Sequence, residues 1–123
     1  MQLDIKTKNI ELTEAIRTAI ESKLAKLEPL IERFGESVSA EVEVGKTTEH
    51  HSKGPFFRAE VRVRLPGKLV YADVENEDLY LAVREARDKA QRQIQDYKET
   101  LADGTESLRG GETIEEDSND ELE

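Results

Sequence analysis

Phe57-Arg58-Ala59-Glu60-Val61-Arg62-Val63-Arg64-Leu65, followed at once by Pro66-Gly67 and then by Val70, Ala72 and Val74, decides the fold of this chain. Successive side chains of a strand point to opposite faces, so strict alternation of apolar and charged residues predicts a strand with one dry and one wet face. Proline presets the first central position of a tight turn and glycine supplies the second, so the two runs should form an antiparallel hairpin. Upstream, Val38, Ala40, Val42 and Val44 alternate in the same way with Ser39, Glu41 and Glu43, and Leu3 and Ile5 with Gln2, Asp4 and Lys6. A long polar loop, Lys46 to Pro55, separates the second strand from the third.

Between the first two strands the period becomes helical. Ile16, Ile20, Leu24, Leu27, Ile31 and Phe34 fall on one face, with Thr13 as N-cap, Glu14 in the first turn and Gly35 as the stop. Pro29 interrupts this helix, and a bend over its last turn and a half is expected. A second helix is predicted from about Asn76 or Asp78 to Leu101, burying Leu79, Val83, Ala86, Ala90, Ile94, Tyr97 and Leu101. The order is β-α-β-β-β-α, an α+β class. A sheet with one apolar face needs both helices on that face, and a crossover through the first helix makes strands one and two parallel. The expected architecture is therefore a four-stranded mixed sheet under two parallel helices, in outline like a double-stranded RNA-binding domain.

Composition limits the function. The chain has 123 residues and a formal charge of −10, but that charge is unevenly placed. Residues 1–100 carry 17 Lys and Arg against 19 acids, whereas residues 101–123 carry one Arg and nine acids. The C-terminal stretch has too few apolar residues to offset the entropy of ordering, so the division expected is a folded domain over 1–101 and an acidic disordered tail over 102–123. With no cysteine there is no disulfide framework, thiol nucleophile or Cys-type zinc site. The N-terminus lacks the pattern of a secretion signal and no run is long enough for a membrane span, so a cytoplasmic protein without membrane contact is expected.

Residues that could carry chemistry are sparse. His50-His51 with Glu49 lacks a separated third ligand, so no metal is expected. Gly110-Gly111 lacks the Lys-Ser or Lys-Thr of a phosphate loop. No nucleophile stands beside a base at useful spacing. An enzyme, a cofactor and a small-molecule substrate are therefore not expected.

The two helices contain Thr13-Glu14-Ala15-Ile16-Arg17, Lys23-Leu24-Ala25-Lys26-Leu27-Glu28, Asp78-Leu79-Tyr80 with Ala82, and Lys89 followed by Arg92-Gln93. In these motifs the chain resembles the ribosome hibernation promoting factor and ribosome-associated inhibitor family over roughly residues 1–100. The resemblance implies a factor that binds the small ribosomal subunit and its RNA, occludes the channel for messenger and transfer RNA, and keeps ribosomes idle in stress or stationary phase. Lys23, Lys26, Lys89 and Arg92 match the motif positions that would contact RNA. Arg17, Arg84, Arg87 and Lys98 are further candidates from the helical wheel, on which Tyr80, Arg84, Arg87 and Lys98 share one line. Asp78 reads as a helix cap, and Tyr80 either packs at the helix rim or stacks on a base.

Long members of that family append a dimerisation domain. A short domain with an acidic tail is instead most similar to the inhibitor type, which stabilises single ribosomes, with the short hibernation factors that support ribosome pairing as the alternative, and a monomer is expected. The tail reads equally as a solubilising extension or as a competitor for basic surfaces. Three alternatives stand beside this reading. The charged helix faces could simply be solvated, held by pairs such as Glu85 with Lys89 and Asp88 with Arg92. The chain could be an acidic module for a basic protein partner, or a general double-stranded RNA binder. On the wet face of the sheet, Arg58, Arg62 and Arg64 are expected to pair with Glu41 and Glu43.

Overall fold

The computed structural model describes residues 1–47 and 56–103. The tail beyond Asp103 and the whole connection between the second and third strands, residues 48–55 with Glu49, His50 and His51, lie outside the described residues. Strands β1 (Gln2–Lys8), β2 (Ser39–Thr47), β3 (Phe56–Leu65) and β4 (Lys68–Asn76) form one four-stranded sheet in the order β1-β2-β3-β4. β1 pairs with β2 in parallel, Leu3 opposite Ala40 and Ile5 opposite Val42, and the other two pairings are antiparallel. The mixed sheet expected from the crossover is thus present.

The hairpin closes as its sequence demands. Leu65 faces Lys68 across Pro66-Gly67, and Gly67 takes φ 81°, the positive value that the second central residue of such a turn needs. Tyr97 donates from its hydroxyl to the Pro66 carbonyl at 2.7 Å, tying the turn to the helix layer.

Helix α1 (Glu14–Ala25) starts at Thr13, whose hydroxyl accepts from the Ile16 amide at 3.2 Å. The single bent helix expected through Phe34 is not what forms. α1 stops at Ala25, a separate turn α2 (Glu28–Ile31) carries Pro29 in its first turn, and a 3-10 segment follows over Glu32–Ser37. The reason is local: Pro29 has no amide hydrogen for the Ala25 carbonyl, so helical bonding lapses there, while a first turn accepts proline at no loss. The gap is bridged by tighter bonds, Lys26 to the Lys23 carbonyl at 3.4 Å and Leu27 to the Leu24 carbonyl at 2.9 Å. Because the direction of the chain is kept, Leu27 and Ile31 still reach the core. Gly35, at φ 75°, kinks the path inside the 3-10 segment.

Helix α3 (Leu79–Asp103) is set off by Asp78, whose carboxylate accepts from the amides of Tyr80 and Leu81 at 2.8 and 3.2 Å. The capping role read from the sequence is thus present. Asn76 in turn holds the Asp78 amide at 2.8 Å. α3 packs over β3 and β4, and its buried stripe of Leu79, Ala82, Val83, Ala86, Ala90 and Ile94 meets Val61, Val63, Val70 and Ala72 of the sheet. α1 and α3 run in the same direction. Lys23 of the first helix meets Arg87, and further along the helix layer Phe34 stacks on Tyr97 with ring centroids 6.1 Å apart. Both helices cover one face of the sheet, and no helix or strand among the described residues covers the other.

Candidate nucleic-acid interface

The basic side chains of the helix layer are distributed by helical geometry. Arg87 donates through Nη1 to the Lys23 carbonyl at 3.4 Å, so it marks the flank of α3 that faces α1. Arg84 and Tyr80 lie three and seven residues before it on that same flank, and Lys26, the C-cap residue of α1, lies three residues beyond Lys23. The structure therefore brings Lys23, Lys26, Arg84 and Arg87 to one seam between the helices, with Lys98 farther along the same line. Lys89 is two residues beyond Arg87, about 200° around the helix, and belongs to the opposite flank. It lies close enough to β4 to help hold the Asp73 carboxyl below the usual carboxylate range, after the larger effect of Arg58. Arg92 sits between that flank and the solvent-facing ridge. Arg17 is about 240° around α1 from Lys23 and is separated from the seam; it stands 3.8 Å from Glu21.

Pairing distinguishes these residues further. Lys23, Lys26, Arg84, Lys89, Arg92 and Lys98 make no ion pair among the described residues, and Lys26, Arg84, Lys89 and Arg92 are exposed. The helix pairs expected from spacing do not form. Asp88 is engaged by Arg87 at 2.7 Å in place of Arg92, and Glu85 accepts from Asn76 at 3.5 Å in place of Lys89. Both acids are drawn to partners nearer to hand, which leaves the two cations unneutralised. Arg87 itself is a different case. Only 11 % of its side chain is exposed, and it caps the carbonyl end of α1 where a cation is favoured by the helix dipole. It is a structural bridge between the helices. Tyr80 is exposed on the first turn of α3, beside the equally exposed Leu81, so it packs into no part of the core.

The open sheet face presents the contrary arrangement. Lys6 holds Glu41 at 2.6 Å, and Arg58 makes a bidentate contact with Asp73 at 2.8 and 2.7 Å. These contacts push Lys6 up, and hold Glu41 and Asp73 below the ordinary carboxylate range, the hydrogen bond from the cation being the main cause in each case. Arg62 reaches Glu41 at 3.9 Å, as expected, but the register sets Arg64 opposite Ser39 and Glu43 opposite Glu60, so those two make no cross-strand charge pair. A depression of about 430 Å³ over Gly45 gathers Glu43, Glu60, Asp73 and Glu75 against Lys8, Lys46 and Arg58, a mixture that does not suit phosphate. Unneutralised positive charge on elements that face one way is what phosphate binding requires, and the helix layer supplies it.

No helix among the described residues is long and apolar enough to cross a membrane, and none of their His, Cys, Asp and Glu side chains form a metal-binding group of three or more. Sequence reading missed the role of Gln93. Its amide bonds the edge strand at Tyr71, so one residue of the Lys89–Gln93 motif serves the fold.

Residues 3–102 match the model of the family described as sigma 54 modulation protein / S30EA ribosomal protein. The ribosome hibernation promoting factor of Escherichia coli K12 is 32% identical over 101 residues, covering 82% of this chain and 97% of that protein. The ribosome hibernation promotion factor of Bacillus subtilis 168 is 33% identical over 98 residues, covering 80% of this chain and 49% of that longer protein. The crystal structure of the Thermus thermophilus Protein Y N-terminal domain superposes with a TM-score of 0.65 at 33% identity, covering 79% of this chain and 99% of that domain. The resemblance drawn from the helical motifs is borne out.

Proposed function

Since this chain belongs to the sigma 54 modulation protein / S30EA ribosomal protein family, whose hibernation factors are ribosome-associated proteins and not enzymes, we propose that it binds the small ribosomal subunit and blocks the channel for messenger and transfer RNA. The observation that carries this reading is the set of unneutralised cations on the helix layer of a protein whose sheet face pairs Lys6, Arg58 and Arg62 with acids. Lys23 and Lys26 on one side of α3, and Lys89 and Arg92 on the other, define a band that crosses the helix, with Arg84 between them. Each side chain meets a phosphate. Arg87 holds the two helices in the spacing that the band needs, and Lys98 and Tyr80 extend its seam side, Tyr80 by stacking on a base. Arg17, set apart and beside Glu21, contributes least.

Such a surface reads shape and charge. Phosphate contacts carry no base information, and folded ribosomal RNA is recognised largely by its geometry. Four neutralised phosphates give a log-log salt slope of about −3 to −4. Inhibition then follows from occupancy alone: while the domain sits in the channel, the substrates of translation cannot. Ribosomes place the protein in the cytoplasm, and idling them suits stress and stationary phase. Residues 1–101 are the binding unit, which acts as a single copy on each small subunit, and residues 102–123 form an acidic extension.

The test is competition on isolated subunits. Labelled protein is expected to sediment with small subunits and not with large ones, to be released by raised salt, and to be displaced by messenger and transfer RNA together. Attachment to large subunits alone, or simultaneous occupancy with transfer RNA and messenger RNA at saturation, would refute the reading. Tight binding to a free RNA duplex would point to the general double-stranded RNA binder instead.

A further inference from the structure

The sheet has two edges, and they are treated differently. At β4 the amide of Gln93 occupies both main-chain groups of Tyr71. β1 stands at the other end of the strand order, with no strand beyond it among the described residues. The Gln2 amide donates to the carbonyl of Val38, the residue just before β2, so the even-numbered residues of β1 direct their main-chain groups inward. By alternation Leu3, Ile5 and Thr7 direct theirs to the free side. Leu3 and Ile5 also remain only half-buried on the helix-covered face.

From this edge the geometry points to a second copy of the chain as partner, docked by antiparallel pairing of β1 with β1 about a two-fold axis at Ile5. In that register Ile5 faces Ile5 and Leu3 faces Thr7, each pair exchanging main-chain bonds from groups that already point outward. Asp4 falls opposite Lys6 of the second copy in the closer, non-hydrogen-bonded type of pair, where Cα atoms are about 4.5 Å apart. The charges of Gln2-Leu3-Asp4-Ile5-Lys6-Thr7-Lys8 are thus self-complementary, as a two-fold contact requires.

Neighbouring registers are rejected by the same residues. A shift of one breaks the match between outward-facing groups and moves apolar side chains to the wet face. A shift of two sets Asp4 against Asp4 or Lys6 against Lys6, and like charges directly opposed are destabilising. The axis is perpendicular to the sheet, so both copies keep their helices on one side, and the half-buried Leu3 and Ile5 of each copy are covered. Asp4 is exposed and makes no ion pair among the described residues, and the Lys6 ammonium, which holds Glu41 in its own copy, has further donors for Asp4 of the partner copy. The contact is one strand wide and gives a weak dimer that forms as concentration rises.

Sedimentation equilibrium of the full chain up to millimolar concentration tests this. The weight-average mass is expected to climb from 13.9 kDa towards twice that value, and Asp4→Lys, which opposes two lysines on each side of the axis, is expected to hold it at the monomer with an unchanged circular dichroism spectrum. Because the chain has no cysteine of its own, single cysteines report the register. Ile5→Cys should give disulfide-linked dimers under mild oxidation, and Leu3→Cys should crosslink with Thr7→Cys but not with itself. A constant monomer mass without an Ile5→Cys crosslink would overturn the proposal, as would association indifferent to Asp4→Lys or self-crosslinking of Leu3→Cys.

Discussion

Gln93 completes the edge strand at Tyr71 as a peptide group would, its Oε1 accepting the Tyr71 amide at 3.1 Å and its Nε2 donating to the Tyr71 carbonyl at 2.6 Å. One side-chain amide thereby joins α3 to β4 and occupies two main-chain groups that a foreign strand could otherwise use.

Replacing Gln93 separates the two bonds. Gln93→Ala loses both and should lower stability by about 1–2 kcal/mol, with faster hydrogen exchange at the Tyr71 amide. Gln93→Glu keeps an acceptor for that amide but sets a carboxylate against the Tyr71 carbonyl, so it should cost at least as much while keeping the amide protected. Denaturant melts and amide exchange measure both; equal exchange in the two variants would contradict this assignment.

A coupled effect is expected where Tyr97 meets the hairpin. Tyr97→Phe removes the bond to the Pro66 carbonyl and should cost about 1 kcal/mol. Gly67→Ala forces a side chain into positive φ and would place its Cβ 2.8 Å from the Tyr97 hydroxyl. That second penalty vanishes when the hydroxyl is gone, so the double variant should be more stable than the sum of the single losses predicts. Strict additivity in thermal unfolding would show that the hydroxyl is not what limits Gly67.

Acid stability should respond to the pair of Arg58 and Asp73. The Asp73 carboxyl titrates lower in the folded chain than in the unfolded one, so its contribution is complete above the ordinary carboxylate pKa and lost as pH falls through the depressed folded value. Both side chains are substantially exposed, so the effect is screened and amounts to about 1 kcal/mol or less. Asp73→Asn should therefore lower stability at neutral pH slightly and flatten its decline below about pH 4, the range where free aspartate protonates. Parallel stability curves for the two proteins between neutral and acid pH would contradict this.

Much of the fold could be read from the chain because alternation in Val38–Val44 and Phe57–Leu65, and the helical stripe of α3, leave few alternatives once one face must be dry. Pro29 was readable as an interruption, but whether a helix bends or restarts depends on the bonds available to Lys26 and Leu27 across the gap, and these are tertiary facts. Spacing placed Glu85 beside Lys89 and Asp88 beside Arg92. It gave no sign that Asn76 and Arg87 would compete for those acids. The candidate cations were legible by type and motif, while their division by α3 into a seam and an outer flank emerged only once Arg87 was seen at the Lys23 carbonyl. No periodic signal marks Gln93, because a side chain bonding a strand edge depends on where the helix lies.

The two halves of the basic band should weaken ribosome binding independently. Lys23→Glu with Lys26→Glu, and Lys89→Glu with Arg92→Glu, are each expected to reduce the magnitude of the log-log salt slope by about 2. Arg17→Glu should leave it nearly unchanged. A large loss confined to one pair would restrict the contact to one flank of α3.

The central claim is tested most directly by sedimenting the full chain with small ribosomal subunits at low salt, as wild type and with Lys23, Lys26, Lys89 and Arg92 all changed to glutamate. All but Lys23 are exposed, and none of the four is ion-paired among the described residues, so the variant should fold as the wild type does by circular dichroism. The predicted result is wild-type protein in the subunit fraction and variant at the top of the gradient. A folded variant that still travels with the subunit would contradict the account.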